Sequence, residues 1–68
     1  MSRMLQSETF KTKWGHILSV TTSGNGMFFE SAVLTTQKDL ELNRDPQILN
    51  KHETENLLNW WQARGILL

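Results

Sequence analysis

The chain has 68 residues, with seven basic side chains against seven acidic ones and no cysteine. Zero net charge argues against the concentrated basic face of a nucleic-acid module, and the lack of cysteine removes disulfides and thiolate metal sites together. A chain this short buries only roughly 60% of the surface its unfolded form exposes. One small domain, 1–68, is therefore expected, with oligomerisation as its remaining staple.

Charge is spread almost evenly. Residues 1–38 carry four basic and two acidic side chains, and the rest carry three and five. The first twelve residues lack the apolar stretch of a signal peptide, and no run approaches the roughly 18 apolar residues of a membrane span. A soluble, cytoplasmic chain is the expectation.

Residues 1–8 mix Met4 and Leu5 with polar side chains and show no period, as a frayed terminus or a short turn of helix does. A β-rich stretch follows over 9–43. Phe10, Thr12 and Trp14 alternate with Lys11 and Lys13, and the alternation runs on through Gly15 to Thr21. Thr, Val, Ile and aromatic residues at period two predict a strand, with Gly15 as a bulge or bend within it.

Asn25-Gly26 between two such runs predicts a hairpin on a type I′ turn. That register sets Thr22 opposite Phe29, Val20 opposite Ser31 and Leu18 opposite Val33. It makes Leu18, Val20, Phe29 and Val33 the core face, leaving Ile17, Ser19, Thr21, Glu30, Ala32 and Leu34 on the other. A one-residue slip would exchange the two sets. Leu40-Glu41-Leu42 alternates again and is consistent with a third short strand. Asp45-Pro46 is a break or the first turn of a helix.

The last third is a helix over 50–65. Asn50 is its N-cap and Glu53 completes a capping box; Gly65 sits at the left-handed C′ position, with Ile66 placed to meet Trp61. At 100° per residue, Leu57, Leu58, Trp60 and Trp61 cover an arc of roughly 160°, wider than the ~100° stripe that one core face requires. Adjacent Trp60 and Trp61 cannot fill one pocket, so one covers the sheet and the other needs a second surface. The apolar tail, 66–68, closes the helix, adds an edge strand or docks elsewhere; helix closure is the simplest of the three.

Motifs for chemistry are missing. His52-Glu53 begins a zinc-protease pattern, but Asn56 stands where the second histidine belongs. No G-x-S-x-G elbow occurs, and Gly15, Gly24 and Gly26 lack the G-K-[ST] of a phosphate loop. His16 reads as a half-buried packing residue. The fold class expected is α+β, a hairpin plus one or two further short strands packed by a single C-terminal amphipathic helix. The function expected is a non-catalytic protein–protein interaction module (adaptor, regulator or inhibitor) that forms a homodimer and needs no cofactor. Its contact residues are Leu58, Trp60, Trp61, Ile66 and Leu67, the surplus apolar surface of the helix and tail. The alternative is a small nucleic-acid-binding protein that stacks bases on Trp14 and Phe28 while Lys11 and Lys13 follow the backbone.

Overall fold

A computed structural model describes residues 4–68. The elements run β1 (Leu5–Lys11), β2 (Ile17–Ser23), β3 (Phe28–Thr35), α1 (Gln37–Glu41), β4 (Gln47–Leu49) and α2 (Lys51–Ala63). The strands form one antiparallel sheet in the order β1-β2-β3-β4, and α2 lies on one face of it. This is the expected α+β architecture, with two strands beyond the central hairpin.

The segment 9–21 is two strands rather than one. Thr12 accounts for the break: its hydroxyl accepts the backbone N–H groups of Trp14 and His16 at 3.3 and 3.1 Å, and its own N–H donates to the His16 carbonyl. Gly15 closes the turn at φ +84°, a conformation that a residue with a Cβ rarely adopts. Gly15 is thus a turn residue, not a bulge within a strand. The earlier half becomes β1, so Leu5 to Glu8 are ordered in the sheet and not frayed. The expectation for residues 1–3 lies outside the described residues.

The β2–β3 turn has the expected form. Asn25 and Gly26 take φ values of +58° and +88°, and the Met27 N–H donates to the Gly24 carbonyl. Thr22 pairs with Phe29, as expected, but the register then shifts at Thr21/Thr22. Beyond that bulge Val20 pairs with Ala32 and Leu18 with Leu34. Paired residues share a face, so Ala32 and Leu34 turn inward and Val33 turns outward, reversing the expected assignment for these three. Glu30 lies at the bulge, and the Ser23 hydroxyl donates to its carboxylate at 2.6 Å.

Leu40-Glu41-Leu42 is not a strand. Thr36 and Asp39 form a reciprocal capping box that starts α1. Asn43, at φ +55°, ends it, with the Arg44 N–H donating to the Asp39 carbonyl. The further strand is β4, which starts directly after Pro46 at the sheet edge, where a missing N–H does no harm.

Helix α2 starts and stops as its sequence dictates. Asn50 Oδ1 accepts the Glu53 N–H at 2.8 Å, and the Glu53 carboxylate accepts the Asn50 N–H at 3.1 Å. At the other end the Gly65 and Ile66 N–H groups donate to the Gln62 and Trp61 carbonyls, a Schellman closure. The tail then lies against the outer side of the first hairpin. Lys13 donates to the Ile66 carbonyl, Leu68 donates to the Lys11 carbonyl, and Leu67 bridges Thr12. Helix closure and edge pairing therefore both describe it. The core is small: Leu18, Ala32, Trp61 and Ile66 are buried, ringed by half-buried residues such as Phe10, Val20 and Leu57.

Two outcomes follow. Asn50→Ala strips α2 of its cap and lowers stability by about 1 kcal/mol, read as a lower urea midpoint with an unchanged slope. The Thr36 backbone N–H, then the Thr36 hydroxyl contact, holds the Asp39 carboxyl below its ordinary 3.8, against an opposing effect of burial. A depressed carboxyl contributes fully above its ordinary value, and that contribution is lost as pH falls through the folded value. The stability gap between wild type and Asp39→Asn should accordingly shrink as pH drops below 3.8. Parallel curves for the two proteins, from neutral pH through that range, would contradict this account.

Candidate functional site

The β1–β2 turn, the last turn of α2 and the tail all meet at one end of the sheet. The tail's bonds to Lys11 and Lys13 hold them there. Four rings form a chain across this end. Trp60 lies 6.2 Å from Trp14, Trp14 lies 5.8 Å from His16 in an edge contact, and His16 lies 6.5 Å from Trp61. The chain runs from solvent to core: Trp14 and Trp60 are 50% and 45% exposed, His16 is half-buried and Trp61 is 2% exposed. The Arg64 guanidinium sits 4.1 Å from the centre of the Trp60 ring, a cation–π contact.

Helix geometry explains why the two adjacent tryptophans divide in this way. Thr54 and Trp61 are buried and Leu57 and Leu58 are half-buried, which fills a single stripe of about 100°. Trp60 projects about 60° beyond its margin. Thr54 is satisfied at that depth, since its hydroxyl donates to the Asn50 carbonyl at 2.8 Å. Trp60 leans out of the helix–sheet interface onto Trp14.

Among the expected contact residues, Trp61 and Ile66 are therefore core and offer no surface. Leu67 is half-buried in its bridge to Thr12. Leu58 is half-buried and lines a groove of about 320 Å³ together with Val20, Phe29, Lys51 and Glu55. Trp60 alone is presented outward. Its partner Trp14 was absent from that set, because nothing local in the sequence links a turn residue to a helix residue 46 positions later.

The residues of the nucleic-acid alternative do not form one platform. Trp14 and Lys13 are in the β1–β2 turn, whereas Phe28 follows the turn at the far end of β2. The six steps from Ile17 to Ser23 separate them by about 20 Å. Lys11 and Phe28 share the face opposite α2, and Trp14 packs on the helix side.

His16 has a structural part to play. Its Nδ1 accepts the Gln37 N–H at 3.2 Å at the start of α1, and its ring lies between Trp14 and Trp61. Among the described residues no three His, Asp or Glu side chains are grouped to hold a metal ion. No helix in them is long and apolar enough to cross a membrane.

The Trp14–Trp60 pair has a direct readout. Two indoles this close couple their transitions, so wild type should show an exciton couplet in far-ultraviolet circular dichroism. Trp14→Ala or Trp60→Ala should each abolish it while leaving the thermal midpoint nearly unchanged, since both rings lie outside the core. A couplet that survives either change would mean that the rings do not pair. No family model, no curated protein and no solved structure matches this chain.

Proposed function

We propose that this chain is a non-catalytic protein-interaction module that self-associates and presents the Trp14–Trp60 end to a partner protein, as an adaptor, regulator or inhibitor. The observation that carries the reading is the half-exposed indole pair with Arg64 against it. Tryptophan and arginine are enriched among the few residues that carry most of the binding energy of protein interfaces. Here both rings are already fixed by a turn, a helix end and a tail, so little side-chain freedom is lost when a partner covers them.

Self-association draws support from the sparse core and from the large apolar side chains left at the surface, Met4, Leu5, Phe28, Ile48 and Leu68 among them. A chain this small with no cysteine gains little from its core alone, and association is a staple such scaffolds use.

Light scattering across concentrations should give a mass of about twice the 7.9 kDa chain. A folded monomer throughout would retire the self-association part. For the partner, wild type and Trp60→Ala used side by side as bait in an extract of the native cell should differ by a captured protein present only with wild type. Identical captures would remove the tryptophan end as the binding surface. Trp61→Ala serves as the contrast, costing about 3–5 kcal/mol of stability as a core truncation.

A further inference from the structure

The outer edge of β1 is open in a particular pattern. Lys11 and Lys13 direct backbone groups away from β2, since they bond to Leu68 and Ile66, whereas Thr12 bonds inward to His16. Backbone direction alternates along a strand, so Leu5, Ser7 and Thr9 also point their N–H and C=O groups outward. No other segment of the described residues takes up these groups. The chain's own tail shows that this edge accepts a strand, yet it occupies only the Lys11–Lys13 end. The opposite edge, β4, is three residues long and offers far less.

We infer that the outer edge of β1 pairs antiparallel with β1 of a second copy about a twofold axis at Ser7, joining the two sheets into one. This rests on the self-association proposed above and names its seam. The register follows from the strand itself. Outward-pointing residues must face each other, so odd positions pair with odd positions. Centring on Glu8 would set Glu8 directly against its own copy, two like charges in the closest type of cross-strand pair. Centring on Thr9 would set Ser7 against Lys11, whose carbonyl the tail already uses.

Centring on Ser7 avoids both. Leu5 then pairs with the second copy's Thr9, Ser7 with Ser7, and Thr9 with Leu5, about six backbone hydrogen bonds at two per pair. On the helix side Gln6 stands opposite the second copy's Glu8, so an amide donor meets a carboxylate twice. At each end Met4, 75% exposed, stands opposite the second copy's Phe10 and beside its Leu68, which is 82% exposed. The groove of about 450 Å³ lined by Gln6, Ser7, Glu8, Val20 and Thr22 adjoins its symmetry mate across the seam.

Site-resolved amide exchange on the full chain tests the seam. The Ser7 and Thr9 amides should become protected as concentration rises through the dimerisation range, while those of Gln6 and Glu8, which face β2, are protected throughout. Ser7→Pro removes the central donor, on an edge where proline is tolerated, and should leave a folded monomer. Gln6 is exposed, so changing it spares the fold. Gln6→Lys should tighten the dimer about fivefold at low salt and Gln6→Glu weaken it about as much, through two symmetric cross-strand charge pairs. A dimer indifferent to all three variants overturns the seam and leaves self-association standing. A monomer at every concentration removes both.

Discussion

The structure turns on a single residue of slack in β3. The bulge opposite Thr21/Thr22 lets the Asn25-Gly26 turn keep its own geometry while the strand beyond it adopts the opposite parity. Ala32 comes to face α2, and it is fully buried with Leu18, Trp61 and Ile66. A small side chain there lets the helix approach the sheet closely enough for one tryptophan to complete the core. Were the register uninterrupted, Ser31 and Val33 would face the helix, and Ala32 and Leu34 would face solvent. Core, helix seat and open face would all differ.

What was legible in the sequence was what short-range chemistry decides. The limits of α2 depend on Asn50, Glu53 and Gly65, each acting within five residues, and all three behave as their residue types dictate. The same holds for the φ values at Asn25 and Gly26. The α1 box was equally local. Thr36 and Asp39 stand three apart, but Leu40 and Leu42 alternate over so few residues that strand and helix patterns overlap. The Thr12 turn was obscured because alternation continued across it, and only Thr12's hydrogen bonds to Trp14 and His16 distinguish two strands from one.

The candidate site was less legible than the fold, for a physical reason. The roughly 160° apolar arc on α2 showed that one tryptophan had no place in a single stripe. Whether that was Trp60 or Trp61 depends on the helix's rotation, which Ala32 and Leu18 determine from other strands. The Trp14–Trp60 contact needs the turn, the helix end and the tail assembled first, and no periodicity records such an assembly. Ile66 and Leu67 read as surplus surface because edge pairing to Thr12 hides them only once the hairpin exists.

Coverage explains why so much of this small chain stays available for contact. Four strands span about 19 Å, and a helix is only about 10 Å across, so α2 can shield roughly half of one face. The uncovered part lies over the start of β1 and the end of β2. There the sequence has placed Gln6, Glu8 and Thr22 in place of apolar residues, leaving Val20 as the hydrophobic floor, whereas Phe10 and Leu18 at the other end of the same strands belong to the core. Polar residues on that strip let the half-covered sheet tolerate water. At the ring-bearing end the solution is different: Trp60 and Trp14 cover each other, and His16 continues the stack down to Trp61. His16 also accepts the first N–H of α1, so the exposed indoles, the core tryptophan and the loop after β3 share one side chain. The ring-bearing end is thus tied to the core by side-chain packing as well as by the tail's backbone bonds to Lys11 and Lys13.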